Sequence, residues 1–239
     1  MNYDLLYTML NTESVSGGEI PLQKKVAAYM REAGFNVDTD KTGNVIAHIN
    51  EESPVRVLMS GHIDEIGFRV TYISENGMIH VNKAVYIRPE LMQGKRVTVL
   101  GKKRITGVMG ILLKDGNVRT DVALKDMYID CGFTTDKQAA EWIKPGDFVT
   151  YTYAYDMLEN NCIAGRGLDD KLGAFTVMQA LMREGAGRKG RRICRHNSGR
   201  RNHNARRILC RGTHQANACH SRGCYTFVGL PRIRCGALW

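Results

Sequence analysis

The chain has 239 residues, of which 43% are hydrophobic and 24% are charged, which are the proportions of a soluble globular protein. No apolar run is long enough to span a bilayer and the first residues do not resemble a signal peptide, so we expect a cytoplasmic protein without a membrane partner. The formal net charge of +10 is uneven, because residues 186–239 hold 13 of the 34 Lys and Arg residues and none of the 24 Asp and Glu residues. The bulk charge is therefore no sign of a general nucleic-acid-binding protein.

Residues 1–68 predict the first part of an α/β domain. Apolar residues recur at helical spacing over residues 3–12 and again after Pro21, and Gly34 is placed to end the second helix. Three strands are expected, at 35–39, 45–49 and 55–59. Helices would cover the faces of such a sheet, and its chemical groups would lie at the C-terminal ends of the strands.

The stretch that follows the third strand, Ser60 to Gly67, carries the first candidate site. His62 and Asp64 are two residues apart on an extended segment, so we expect their side chains on the same side. An imidazole can bind a transition metal, and a carboxylate can bind the metal or orient the ring. Taken alone, the pattern is also compatible with a solvated pair of loop residues.

Residues 69–155 predict a β-rich domain inserted into the α/β domain. Short apolar runs follow one another and are separated by glycines, which is typical of a small barrel or a sandwich. Only residues 135–143 have a helical pattern.

Residues 156–185 return to the α/β pattern and carry the second candidate site. Asp169 and Asp170 precede an apolar helix face, and two adjacent carboxylates there need a helix N-terminus, a cation or a metal to balance their charge. The alternative is ordinary capping, with one Asp at the N-cap and the other in the first turn.

Residues 186–239 form an aberrant basic tail rich in Cys, His and Arg, which we expect to be disordered. The basic residues could attract phosphate, and Cys194, His196, Cys210 and His214 are among the available metal ligands. The tail has no Cys-x-x-Cys motif and no repeated ligand spacing, so neither a zinc module nor nucleic-acid binding is favoured.

Taken together, these motifs resemble the dinuclear metallo-aminopeptidases of the tetrahedral, glutamyl or deblocking type, also labelled cellulase-M-like. Seven stretches in the same order carry the resemblance: Ser14–Gly17, Thr42–Ile46, Ser60–Gly67, Gln93–Val97, Gly107–Gly110, Lys144–Asp147 and Gly167–Lys171. The family has an α/β catalytic domain that is interrupted by a β-rich domain. The resemblance implies a hydrolase that releases N-terminal residues from peptides, with two divalent metal ions (zinc or cobalt) and a homo-oligomer, a dodecamer in relatives.

The resemblance also implies roles for individual residues. His62 would be the terminal ligand of one metal, Asp64 the catalytic carboxylate that orients His62, and Asp169 the carboxylate that bridges both metals. Asp170 would be its neighbour across a strained peptide. The pair of metals would lower the pKa of a shared water and polarise the scissile carbonyl.

The sequence departs from the family after Glu184, because no acidic residue follows. The family needs a Glu-Glu pair, an Asp ligand and a distal His ligand there. Arg200 and Arg201 occupy the place of the glutamates, where a cation would repel metals. The whole chain is thus expected to be an impaired or inactive aminopeptidase. The alternatives are a truncated, non-catalytic relative and a basic binding protein.

A reading-frame slip near codons 184–193 is a simple explanation of the departure. If the codons from Ile193 onward are read one base later, they can spell Tyr-Ala-Val-Thr-Thr-Val-Glu-Glu-Glu-Ile-Thr-Met, which resembles the family's strand with its glutamate pair. The codons from His220 to Thr226 can likewise spell Ile-Ala-Val-Asp-Val-Thr-His. The two matches fall in the family's order, and each restores a missing ligand.

Overall fold

The computed structural model describes residues 3–51, 54, 56–85, 87–112, 122–191 and 205–211. The four α-helices of these ranges are α1 (Asp4–Asn11), α2 (Ile20–Glu32), α3 (Asp136–Ala140) and α4 (Leu168–Arg191). The strands are β1 (Asn36–Thr39), β2 (Val45–Ile49), β3 (Arg56–His62), β4 (Phe68–Ile73), β5 (Ile79–Lys83), β6 (Arg96–Leu100), β7 (Arg104–Ile111), β8 (Met127–Asp130), β9 (Phe148–Tyr151), β10 (Tyr155–Leu158), β11 (Cys162–Gly165) and β12 (Ala205–Arg211). Within the part of the chain so described, no helix is long and apolar enough to cross a bilayer.

The described residues divide into two compact units. Unit 1 comprises residues 3–14, 19–64, 167–191 and 205–211, and unit 2 comprises residues 15–18 and 65–166. The β-rich insertion expected at 69–155 therefore extends further, to residue 166. The reason is that β10 and β11 pair as an antiparallel hairpin and lie with the insertion, whereas residues 156–166 were expected in the α/β domain.

Unit 1 is an α/β sheet in the strand order β1-β2-β12-β3. Strand β12 pairs antiparallel with β2 and parallel with β3. Helix α2 packs on β1 and β2, and α4 packs on β3. Pro21 lies in the first turn of α2, and Gly34 follows its C-terminal end with a φ of 86°, which glycine adopts without strain. The α/β class and the helix bounds follow the sequence prediction.

Strand β12 was not expected from the sequence. The sequence predicts a disordered tail from residue 186 onward, yet α4 continues to Arg191 and β12 lies between two predicted strands of the sheet. Main-chain hydrogen bonds alone can place a strand in a sheet, so the pattern of side chains did not indicate it. The candidate ligands Cys194, His196 and His214 lie outside the described residues.

Unit 2 contains a closed six-stranded barrel in the order β4-β5-β8-β7-β6-β9. Every second residue of β7 is buried up to Met109, as expected for a strand with one face on a core. The barrel core is made of aliphatic and aromatic side chains contributed by the strands, including Phe68, Ile79, Val97, Met127 and Val149. The sequence prediction of a small barrel is therefore confirmed, including the short helix α3 within it.

Candidate metal centre

Strand β3 delivers His62 to the candidate site, at its C-terminal end. Gly61 is required just before it, because a Cβ atom there would lie 2.6 Å from the main-chain nitrogen of Ala174 in α4. Ile63, the next residue, is fully buried, and its carbonyl accepts a hydrogen bond of 2.7 Å from the Ser14 hydroxyl. These contacts fix the backbone on both sides of His62.

The two nitrogens of the His62 ring face two different carboxylates. Nδ1 lies 3.2 Å from Oδ1 of Asp64, and Nε2 lies 3.5 Å from Oδ1 of Asp169. The Asp64 side chain is 7% exposed, whereas that of Asp169 is 73% exposed. A buried carboxylate on Nδ1 holds the ring and leaves Nε2 for an outward-facing partner.

Asp169 and Asp170 precede the regular turns of α4 and have different partners. Both have non-helical backbone angles, and the peptide bond between them is cis. Oδ1 of Asp170 accepts a hydrogen bond of 3.0 Å from the Gly173 N–H, which is a helix-capping contact, while Asp169 faces His62. The capping interpretation therefore holds for Asp170, and the role of Asp169 as a metal ligand stays a prediction.

The carboxylates change the proton affinity of the site. Asp169, followed by Asp64, raises the pKa of His62 to about 10, because both negative charges stabilise the imidazolium. The same contact with His62 lowers the pKa of Asp169. Burial raises the pKa of Asp170. The carboxylates of Asp169 and Asp64 therefore both favour the protonated form of the His62 ring.

Lys171 also supports the site, and no role was predicted for it from the sequence. Its side chain is fully buried, and its Nζ donates a hydrogen bond of 3.1 Å to the carbonyl of Thr12, just after the end of α1. A cation at a helix C-terminus is favourable, because it meets the unpaired carbonyls of the last turn. The first turn of α4 is thereby tied to α1, which packs against it. The Asp-Asp-Lys motif was the available signal.

The chemistry of this donor set suits a divalent transition metal. An imidazole nitrogen and carboxylate oxygens are ordinary zinc ligands, and a carboxylate behind the imidazole is the usual supporting contact. Catalytic zinc sites use three protein ligands. Among the described residues, no group of three or more His, Cys, Asp or Glu side chains is arranged to hold a metal. The residues present therefore fit one part of a metal site.

Comparison with known proteins identifies the class of this fold. Over 191 residues, the chain is 26% identical to the glutamyl aminopeptidase of Lactococcus lactis and, over 195 residues, 24% identical to the lysyl aminopeptidase of Pyrococcus furiosus. The match to the first protein involves 75% of this chain and 54% of that protein, and the match to the second involves 77% of this chain and 56% of that protein. The chain thus spans about half the length of the curated relatives it matches. These relatives are aminopeptidases.

Solved structures share the fold. A TET aminopeptidase from a marine sediment archaeon of the Thaumarchaeota superimposes with a TM-score of 0.77 at 26% identity, covering 90% of this chain and 59% of that one. A TET1 peptidase of Pyrococcus horikoshii, described as assembling into a tetrahedron or a large octahedral shell, has a TM-score of 0.70 at 23% identity and covers 87% and 59%. Residues 43–190 match the family described as M42 glutamyl aminopeptidase. The chain belongs to this family of hydrolases.

Proposed function

We propose that this chain carries one half of a metal-dependent aminopeptidase site, with His62 and Asp169 as ligands and Asp64 as the residue that orients His62. The observation that carries the proposal is the approach of Nε2 of His62 and Oδ1 of Asp169 to 3.5 Å, with Asp64 behind the ring. The substrates are peptides with a free N-terminus, since the family hydrolyses them. The cytoplasmic location expected from the sequence belongs to the same proposal.

The described residues prepare the site in three ways. Nδ1 of His62 lies 3.3 Å from the main-chain carbonyl oxygen of Asp64 and 3.2 Å from its Oδ1, so Asp64 fixes this side of the ring and leaves Nε2 facing Asp169. Asp169 presents an exposed carboxylate beside Nε2 and would serve as a second ligand when metal is bound. Asp170 is engaged with the Gly173 N–H and holds the start of α4. When bound, two zinc or cobalt ions lower the pKa of a shared water and polarise the peptide carbonyl.

The general base is the part that this chain lacks. Proton transfer from the attacking water needs a carboxylate near the metals, and residues 185–239 contain neither Asp nor Glu. Loss of a general base lowers rates by about 10²–10⁴-fold. We therefore propose that the chain binds metal weakly and that its peptidase activity is reduced by at least about 10²-fold relative to a complete site.

The test measures metal binding and turnover on the same preparation. We expect cobalt to bind to the chain and the His62→Ala variant to lose that binding, because Nε2 of His62 is the only imidazole ligand among the described residues of the centre. Release of an amino acid from a peptide anilide, with zinc or cobalt added, should stay close to the buffer rate. Cobalt binding that survives in His62→Ala would refute the proposed site. Turnover at the level of a complete family member would refute the proposed impairment.

Self-association is part of the same proposal. One solved neighbour is described as a dodecamer in its asymmetric unit and another as a tetrahedron or octahedral shell. We propose that this chain also forms a homo-oligomer. Light scattering after gel filtration should give a mass that is a multiple of 26.8 kDa. A single species at the mass of one chain, at all concentrations, would contradict self-association.

A further inference from the structure

A buried ion pair inside unit 2 lies next to the points where the chain passes from one unit to the other. Resting on the function proposed above, we propose that Glu65 and Arg166 are a positioning pair for the metal centre. They hold together the chain segment that leaves Asp64 and the segment that leads to Asp169.

Glu65 and Arg166 are both buried, and their charges are balanced by each other and by a hydrogen bond from Thr150. Nε of Arg166 lies 3.3 Å from Oε1 of Glu65, and the two side chains are 4% and 0% exposed. The same carboxylate oxygen accepts a hydrogen bond of 2.9 Å from the Thr150 hydroxyl on β9. A charge with so little access to water is tolerated when a partner charge and hydrogen bonds compensate its lost hydration.

The main chains of both residues are fixed as well. The carbonyl of Glu65 accepts a hydrogen bond of 3.2 Å from the Ser16 N–H, and the N–H of Arg166 donates one of 3.0 Å to the carbonyl of Ala154. Gly67 has no room for a side chain, because a Cβ atom there would lie 2.6 Å from the carbonyl oxygen of Val149. The pair therefore sits on a backbone that cannot shift easily.

Both residues of the pair are close in sequence to residues of the candidate metal centre. Glu65 directly follows Asp64, and Arg166 precedes Asp169 by three residues. These are the places where unit 2 begins after β3 and ends before α4. Because the two ends of unit 2 are joined to each other by the ion pair, the segments that lead to Asp64 and Asp169 start from a fixed separation. The packing of α4 on β3 brings His62 within 3.5 Å of Asp169, and we expect the fixed separation to stabilise this approach.

A purely structural role is the competing explanation, and the barrel offers a matched control. Thr98 and Thr150 are paired across β6 and β9 and are both buried, but only Thr150 donates to Glu65, whereas Thr98 contacts Thr152. Replacing either with valine removes one hydroxyl at the same depth in the barrel. The two substitutions should therefore cost similar stability and differ in their effect on the metal centre.

The experiment titrates the full chain with cobalt and compares amide hydrogen exchange of the segments 60–64 and 167–173. Glu65→Gln should weaken cobalt binding about tenfold or more, as loss of a supporting contact to a metal site does. Thr150→Val should weaken it about threefold, and Thr98→Val should leave it unchanged. Arg166→Met should behave like Glu65→Gln, while Arg166→Lys should lose less affinity than Arg166→Met, because it keeps the positive charge beside Glu65.

The outcomes separate this inference from the proposed function. Cobalt affinity that is equal in wild type, Glu65→Gln and Arg166→Met would overturn the positioning role. Equal losses in Thr150→Val and Thr98→Val would overturn it as well. If the wild-type chain binds no cobalt, the proposed function fails. The exchange measurement then decides alone: faster exchange of both segments in Glu65→Gln, but not in Thr98→Val, supports the pair, and unchanged exchange overturns it.

Discussion

His62 lies between two carboxylates, and this position makes its proton part of metal binding. The pKa of His62 is raised to about 10 in the metal-free chain, chiefly by Asp169 and then by Asp64, so the ring is protonated at pH 7. A metal binds only the neutral imidazole, so binding must release this proton. We predict that the apparent cobalt affinity rises with pH, by up to about tenfold per pH unit between about pH 6 and 8.

Calorimetry in buffers with different ionisation enthalpies measures the proton release directly. The matched control is His80→Gln, because His80 lies in the barrel, stacked on Tyr72 at 4.2 Å, and burial lowers its pKa. This variant should release as many protons per cobalt ion as the wild type. Cobalt binding at pH 7 without proton release would contradict the assignment of His62 as a protonated ligand.

At the scale of secondary structure, the contact between β3 and α4 sets the position of the site. A Cβ atom on Gly61 would lie 2.6 Å from the nitrogen and 2.8 Å from the Cα of Ala174, and main-chain atoms cannot rotate away as a side chain could. We predict that Gly61→Ala lowers the free energy of unfolding by about 1–3 kcal/mol, the usual cost of overpacking. Urea-induced unfolding measures this change.

The neighbouring Ser60 provides the control for this prediction. Ser60 is exposed on β3, so Ser60→Ala should change the free energy of unfolding by less than about 0.5 kcal/mol. Gly61→Ala should also weaken cobalt binding, because it moves the strand that carries His62 relative to the helix that carries Asp169. Equal free energies of unfolding for Gly61→Ala and Ser60→Ala would contradict this prediction, because they would show that β3 can move away from α4 without loss of stability.

The elements around the site were predictable from the sequence, and their long-range contacts were not. The apolar run before Ser60 predicted β3, and the Asp pair before an apolar helix face predicted the start of α4. The approach of His62 to Asp169 depends on how β3 and α4 pack, which spacing along the chain does not specify. Only the family resemblance suggested it.

Partners that are far apart in sequence, or that pair through the main chain, were missed altogether. Glu65 and Arg166 are 101 residues apart, and nothing in their local sequence distinguishes a buried pair from two surface charges. Strand β12 enters the sheet through backbone hydrogen bonds, in a stretch whose basic composition has no strand alternation. The two units were also divided at other residues than expected, because the β10–β11 hairpin is held by pairing rather than by composition.

At the scale of the whole molecule, the composition of the chain changes at the end of α4. The family match ends at residue 190, and the 13 basic residues without any acid begin at almost the same place. The described fold up to α4 is shared with a TET aminopeptidase, and the candidate metal centre has one imidazole and one exposed carboxylate. A change of reading frame near codons 184–193 would explain both facts, because it would alter every later residue at once and leave every earlier one intact.

The frame hypothesis makes a prediction that a single corrected gene tests. Reading the codons from Ile193 one base later places glutamates at positions 199–201, where the present chain has Gly199, Arg200 and Arg201. We predict that a gene corrected by one base near codon 193 yields a chain that releases amino acids from peptide anilides with added zinc or cobalt. Its rate should exceed that of the present chain by about 10²-fold or more, because the general base is restored.

Two controls decide what a positive result means. His62→Ala in the corrected chain should abolish the activity, since the restored glutamates need the metals that His62 helps to hold. The present chain carrying only Arg200→Glu and Arg201→Glu should stay inactive, because the Asp ligand read from the codons between His220 and Thr226 is still missing. Nucleotide sequencing comes first: a gene in which no one-base change restores the glutamates would refute the hypothesis. Arg200 and Arg201 would then be genuine residues of a family member that cannot complete a two-metal site.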